Sequence, residues 1–371
     1  MRIRAAVLHG YGRPLAVEEV ELDPPRAGEV LVRVAAAGVC HSDLHLAEGH
    51  LGPGRFPIVL GHEGAGVVEA VGDGVVHVAP GDHVAFCFVP PCGRCTHCAA
   101  GRRNLCSVAA ARSYSGTQLD GTSRLRLADG RALQHFLFIA CFAERCVVPA
   151  AGAVAIPPEL PLWQASLLGC GVVTGVGAVR NAARVAVGES VCVVGCGGVG
   201  LQIVAAARLA GAGRIVAVER DRAKRELALA RGATDAVEGG AEAVLELVPG
   251  GVDHAFEAVG APATIRLAWD VLRPGATATV VGIAPYGVDV ALPALELISE
   301  KGIRGSYYGS GDAASLLASM AGLAAEGRFP LADVVTHLTD LDGIEDAFGR
   351  LRRGEGARTV AIIDEALAGR P

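Results

Sequence analysis

The segment that most constrains the fold is Val191–Gly200, VCVVGCGGVG. An apolar run of strand character ends in Gly195, Gly197 and Gly200, a G-x-G-x-x-G pattern with Gly198 as an additional glycine, and a helix-like run follows it. The pattern alone is weak in a chain with 50 glycines, but between a strand and a helix it has a physical meaning. The glycines permit a tight turn and the close approach of a pyrophosphate, and the helix N-terminus supplies partial positive charge. Glu219 closes the next strand-like run, 19 positions after Gly200, where a carboxylate is expected to accept the adenosine ribose hydroxyls. A carboxylate repels a 2′-phosphate, so Glu219 favours NAD over NADP, whereas Arg220 next to it could attract that phosphate. Lys224, about one helical turn further, is a candidate to reach the ribose, with a solvated helix lysine as the plainer alternative.

The surroundings extend the same reading. SVCVVGCG, RIVAVER, HAFEAVG and ATATVVGI read as strands, and VGLQIVAAARLAGA, DRAKRELALARGA and TIRLAWDVLRPG as helices. Strict alternation of this kind predicts a doubly wound parallel sheet. Residues 1–150 read differently, as short β-like runs (IRAAVLH, VLVRVAAAGV, EGAGVVEAVG) broken by Gly and Pro, which predicts a barrel or sandwich. The pattern breaks again near GIRGSYYGSGD, before a helix, DAASLLASMAGLAAEG, and a strand, RTVAIID. A tail that resumes after an α/β unit suggests that it completes the first domain. The expected division is 1–171 with 308–371, and 172–307. At 371 residues two domains are expected. The chain is 51% hydrophobic, which permits large cores, and its net charge of −6 argues against nucleic acid or an acidic membrane as a partner. No apolar run has the length of a membrane span, and MRIRAAVLHGYG lacks the core of a secretory signal, so a cytosolic protein is expected.

In a reducing compartment 11 cysteines point to metal or catalysis rather than disulfides. Cys92, Cys95, Cys98 and Cys106 form C-x-x-C-x-x-C-x7-C, and four thiolates close a tetrahedral zinc shell with no exchangeable position. His97 lies within this loop and, with four sulfurs sufficient, is expected to be exposed. Cys87, Cys141, Cys146, Cys192 and Cys196 stand in apolar contexts and read as small buried hydrophobes. A second constellation combines GVCHSDLH, GHEG and GCG: Cys40, His62 and Cys170 offer two thiolates and an imidazole, leaving a fourth position open. The Cys₂His set is the general pattern already associated with catalytic zinc in alcohol dehydrogenases.

With these residues in view, the chain resembles the zinc-dependent medium-chain alcohol dehydrogenases along almost its whole length, through GVCHSDLH, LGHEGAGVV, CGRCTHC, GCGVVTG, GCGGVG and RTVAII. The segment 107–142, with DGTSR and HFLF, resembles the extra loop of the branch that includes the liver-type and glutathione-dependent formaldehyde dehydrogenases. The resemblance implies an α/β protein in which a GroES-like β-barrel catalytic domain carries both zincs and a Rossmann domain binds NAD. It makes Cys40, His62 and Cys170 ligands of a catalytic zinc, and Cys92, Cys95, Cys98 and Cys106 those of a structural one. Ser42 takes the position of the hydroxyl bonded to the substrate oxygen, and His45 that of the imidazole ending a proton relay. Asp43 matches the carboxylate that orients the histidine ligand, and Glu63 an acid that tunes the zinc. His41 and Arg358 match positions near the cofactor phosphates, where a plain surface charge would look the same. Thr174 and Val199 match positions that hold the nicotinamide. Phe88, Phe136 and Leu137 fall where the family lines its substrate pocket, Leu137 equally well as an ordinary core residue.

The implied activity is hydride transfer between a primary or secondary alcohol and NAD, in a chain expected to be a homodimer acting on a small molecule. Two other readings stay open. One is oxidation of the thiol adduct of formaldehyde. That branch places an arginine a few residues after the last structural cysteine, where this chain has Val108-Ala109-Ala110-Ala111 and only then Arg112. The other is a non-catalytic zinc-binding interaction protein, against which Ser42, His45, the three ligands and Glu219 together speak. The physiological alcohol and the direction of reaction are not written in the sequence.

Overall fold

The computed structural model describes residues 1–51 and 54–369. The chain divides into two compact units, Met1–Cys170 with Asp312–Pro371, and Gly171–Gly311. The breaks thus fall at 170/171 and 311/312, where the sequence had suggested 171/172 and 307/308.

The first unit is β-rich. Strands Arg2–Leu8, Ala16–Leu22, Leu125–Leu127, Ala132–His135 and Ile58–Val59 close a barrel. Its inside is filled by Ile3, Val7, Val20, Leu22, Leu125 and Leu133, all buried. A second sheet centres on Glu29–Val39, which pairs with Glu63–Val71, with Arg145–Pro149 and with Arg358–Ile362. Nearly every residue of Glu29–Val39 is buried, the mark of a strand covered on both faces. The resumed tail therefore contributes a core strand to the first unit. Beyond it Val335–Thr339 pairs in parallel, a strand whose mixed sequence VTHLT gave no alternation signal.

The second unit holds a six-stranded sheet with every pairing parallel. Numbered along the chain within the unit, its strands lie in the order 3-2-1-4-5-6, the doubly wound arrangement of dinucleotide-binding domains. Ser190–Val194 and Val252–Glu257 flank the point where the order reverses. Trp269 and its neighbours Cys192, Val216, Ala255 and Leu272 form the core on one face. One boundary differs from the sequence reading: the helix Pro262–Asp270 ends before LRPG, and Leu272 already opens the strand Leu272–Val280. The Pro-Gly pair is exposed at the strand's start, where a missing N–H and an irregular register are tolerated. Short elements such as Asp235–Val237 and Ala241–Leu247 carried too few residues for a periodicity to register. Among the described residues no single helix is long and apolar enough to cross a membrane.

Candidate metal and dinucleotide sites

Strand register assembles the buried cysteine–histidine site. Antiparallel pairing sets Glu63 opposite Gly38 on one side of Glu29–Val39 and Thr359 opposite Val39 on the other. Cys40, directly after this strand, thus lies between the GHEG segment and Arg358. Gly38 leaves the room: a Cβ there would sit 2.6 Å from Glu63 Oε2. Cys170 arrives at the end of the turn Ser166–Gly169. The ligand atoms of Cys40, His62, Glu63 and Cys170 lie within 4.8 Å of one another, and all four residues are buried.

The donor set fits a cation. Asp43, fully buried in the first turn of His41–Ala47, accepts a hydrogen bond from Gly61 N at 2.8 Å and holds Oδ2 3.1 Å from His62 Nδ1. The second contact is an ionic approach rather than a well-aligned hydrogen bond. It turns Nε2 the other way, and Nε2 is buried with no hydrogen-bond partner. A buried imidazole nitrogen facing two sulfurs is an arrangement that a metal ion satisfies. The electrostatics agree. A hydrogen bond from the Cys170 thiol holds Cys40 well below the ordinary thiol range against burial, and donating it pushes Cys170 up. Burial disfavours a charged His62, but Asp43 and Cys40 outweigh it and raise its pKa.

Glu63 and Arg358 form a buried ion pair beside these sulfurs. Burial raises Glu63 to about 7 against the pull of Arg358. Arg358 is only 6% exposed, so it is no surface charge, and its guanidinium engages Glu63. Phe88 and Phe136 stand edge-on to the His62 ring at 5.3 and 5.5 Å. Phe136 also borders a shallow recess, no larger than a water molecule needs, with Leu46, Leu51, Arg55, Ile58 and Tyr114. Phe88 and Leu137 do not line it; Leu137 is buried, with its backbone in the left-handed region.

Ser42 Oγ lies 3.8 Å from Cys40 Sγ, half-buried. His45 is one turn further on the same short helix, and its Nδ1 is 3.2 Å from Nδ1 of His50, a residue the sequence reading did not single out. Burial, then His41 and His50, lower the pKa of His45. His41 is exposed, its ring 6.0 Å from that of His45.

The second cluster is local. The sulfurs of Cys92, Cys95, Cys98 and Cys106 lie within 4.8 Å of one another, close to the separation of about 3.8 Å that Zn–S bonds of about 2.3 Å impose on a tetrahedron. Backbone N–H groups aim at them: Cys95 N donates to Cys92 Sγ at 3.4 Å and Cys92 N to Cys106 Sγ at 3.3 Å. Backbone donation around Cys98 and Ser107 holds Cys95 down at about 5, while burial pushes Cys98 up to about 12. His97 is half-buried rather than exposed, because the turn Thr96–Ala99 folds its Nδ1 inward, where that atom has no partner. The five remaining cysteines are all buried.

The segment 107–142 is tied down by a residue whose role the motif DGTSR did not disclose. Arg124 is wholly buried and donates to Glu29 from Nε at 2.8 Å and from Nη2 at 2.6 Å, and to Asp120 at 2.7 Å.

In the second unit Gly195 has φ +89, and a Cβ on Gly200 would collide with the Gly195 carbonyl, so the turn admits only glycine at both positions. Gly197 faces open space, Val199 precedes the helix Gly200–Leu209, and Thr174 sits on the buried helix Gly171–Gly177. Glu219 is fixed at its strand end: Oε2 accepts from Cys196 N at 2.9 Å and Oε1 from Asp221 N at 3.0 Å. Arg220 is exposed, and its carbonyl, like that of Glu219, accepts from Arg225 Nη1. Lys224 is half-buried, and its backbone N–H caps onto Asp221. The sequence reading singled out neither Asp221, which caps the helix Arg222–Ala230, nor Arg225.

Fold and sites thus define a two-unit chain with a dinucleotide-binding sheet, a closed four-thiolate cluster and a buried Cys₂His set. Residues 26–158 match the alcohol dehydrogenase GroES-like domain, and residues 198–322 match the zinc-binding dehydrogenase domain. The S-(hydroxymethyl)glutathione dehydrogenase of Photobacterium damsela subsp. piscicida is 39% identical over 97% of this chain and 99% of its own. The benzyl alcohol dehydrogenase of Acinetobacter calcoaceticus superposes with a TM-score of 0.92 at 31% identity, covering 98% of this chain and 99% of its own. An alcohol dehydrogenase zinc-binding domain protein from Burkholderia ambifaria gives 0.93 at 36% identity, with 98% and 99% covered. The chain belongs to the zinc-dependent medium-chain alcohol dehydrogenase family, and it is a dehydrogenase.

Proposed function

We propose that this dehydrogenase oxidises a primary or secondary alcohol with NAD, using one zinc at Cys40, His62 and Cys170 and a second at the four-cysteine cluster. The observation that carries the reading is the partnerless His62 Nε2 among buried thiols, with the Ser42 hydroxyl 3.8 Å from Cys40 Sγ. Bound zinc supplies a Lewis acid for the alcohol oxygen, and bound NAD the hydride acceptor. Asp43 holds the His62 ring so that Nε2 stays available to the metal. Ser42 is placed to accept the alcohol proton and hand it outward, and His45 receives it at the end of that path. Glu63 is engaged by the Arg358 guanidinium, which occupies its carboxylate oxygens beside the sulfurs. Phe88 and Phe136 pack edge-on against His62 and make the surroundings of the site apolar, which favours an apolar alcohol. Glu219, held by two backbone N–H groups, is preset for the ribose hydroxyls, which supports NAD over NADP.

A homodimer is supported by the edge strand Gly302–Gly305 and the exposed Tyr286, Leu295 and Ile298 near it in the chain, an apolar surface that a monomer would leave wet. A cytosolic location accords with 11 unpaired cysteines.

The second reading, oxidation of a formaldehyde–thiol adduct, is favoured by the 39% identity to an S-(hydroxymethyl)glutathione dehydrogenase. Against the glutathione adduct, residues 108–111 offer no cation, and Arg112 is exposed. The test is nicotinamide reduction with aliphatic and benzylic alcohols and with formaldehyde plus glutathione, each with NAD and NADP. Preference for the alcohols with NAD supports the first reading, and preference for the adduct replaces it by the second. Within the first, Ser42→Ala is expected to keep both zincs while kcat falls by about 10²–10⁴-fold, the usual worth of such proton transfer. Near wild-type turnover with chemistry rate-limiting would remove Ser42 from the path.

A further inference from the structure

The proton path assigned above ends on His45, yet His45 is not at the edge of the polar network. Its Nδ1 faces Nδ1 of His50 at 3.2 Å, with ring centroids 5.4 Å apart. Two Nδ1 atoms at that distance can hold only one hydrogen between them, since two would repel and none would leave two lone pairs opposed. The tautomers of the two rings are therefore linked. His50 in turn lies 3.7 Å from Glu48 Oε2, and Glu48 Oε1 accepts from Arg352 Nε at 2.9 Å. Arg352 belongs to the helix Ile344–Arg352 and also donates to Glu345, so Glu48 is held from outside the loop that carries His50. The His50 side chain is 42% exposed, which gives it more water contact than the more enclosed, half-buried His45 has.

We propose that His50 is the outer member of the relay, passing protons between His45 and solvent, with Glu48 as its positioning residue; this rests on the alcohol-oxidation reading above. The step balances within the two rings. A proton arriving at His45 Nε2 displaces the one on His45 Nδ1, which forms the new N–H bond at His50 Nδ1. His50 then releases the hydrogen from its Nε2 to water, and exchange with water resets both tautomers. The charged and titratable groups around the pair are His41, Cys40, Glu48 and Arg352. An anionic Glu48 stabilises the cation that His50 becomes in passing, which favours outward transfer.

The test uses the zinc-loaded protein in two measurements. In ¹⁵N spectra of labelled histidine, His45 of the wild type is expected to titrate in two coupled steps, and in His50→Gln in one step. In steady-state assays with NAD and an alcohol, His50→Gln is expected to lower kcat in dilute buffer by less than the roughly hundredfold minimum for groups acting directly on a substrate proton. Added imidazole should restore the rate, and Glu48→Gln should give a smaller loss with the same rescue. A single-step titration of His45 in the wild type would overturn the proposal. So would an unchanged kcat and pH profile in dilute buffer, with proton transfer shown to limit the rate by a solvent isotope effect. If the wild type oxidised no alcohol, the reading of the previous subsection would fall, while the spectra would still decide whether the two rings share a proton.

Discussion

The two cysteine sites of the first unit solve one problem in opposite ways. Cys92, Cys95, Cys98 and Cys106 come from fifteen consecutive positions, lie partly at the surface, and are aimed by their own backbone N–H groups. Cys40, His62 and Cys170 come from segments that meet only through strand pairing, and they are buried and oriented by Asp43, Gly38 and the Glu63–Arg358 pair. A cluster carried by one loop has few contacts besides the metal to fix it, so its shape is expected to depend on the metal. A site framed by a sheet takes its shape from strand register rather than from the metal. The difference teaches that a metal-binding cluster can be built either by one loop or by the register of a sheet, and the proposed function assigns the structural role to the first and the catalytic role to the second.

That contrast can be broken by substitution. The largest effect is expected for Cys106→Ser: loss of one zinc and a fall of several kcal/mol in stability, because structural zinc affinity of about 10–16 kcal/mol in small peptides is folding energy. Metal analysis with thermal unfolding checks it, and retention of two zincs at wild-type Tm would erase the distinction. Next comes Asp43→Asn, expected to weaken zinc at the buried site by about 10–100-fold with little change in folding, as for other residues that orient a histidine ligand. Competition with a chromophoric chelator measures this, and equal loss of both zincs would show that the two sites are not independent. The smallest concerns the dinucleotide turn, local like the four-cysteine loop but free of metal. Glu219→Gln keeps one acceptor and removes the charge. It is expected to cost about 1.5 kcal/mol of NAD binding, roughly tenfold, and to narrow the preference over NADP. An unchanged ratio of kcat/KM for the two cofactors would move ribose recognition to Arg220.

Legibility followed the same division. The four-cysteine spacing and the glycine turn with Glu219 were readable because each is set by a few adjacent residues and by backbone sterics. Cys40, His62 and Cys170 were readable as a possible Cys₂His set, but their catalytic role came from resemblance, since nothing in HSDLH or GHEG states that the two meet. Arg358 shows why: its partner Glu63 lies 295 positions away and is specified by register, not by neighbours. His50 was missed because its meaning lies in a side-chain distance, and Arg124 because a buried arginine is defined by Glu29, 95 positions earlier. The strand Val335–Thr339 was hidden because a partly exposed edge strand carries little hydrophobic pattern.

The strand Arg358–Ile362 has a temporal consequence. It pairs with Glu29–Val39 at the centre of the first unit's larger sheet, yet it follows the entire second unit along the chain. During synthesis at about 5–20 residues per second, residues 1–170 must wait without that strand while the intervening unit is made, on the order of ten seconds at the fast end of that range. The second unit, continuous in sequence, can fold to completion in that interval. The order of maturation is therefore the reverse of the order of encoding, and the vacant edge beside Ala36–Val39 is the part of the nascent chain most in need of protection from other strands.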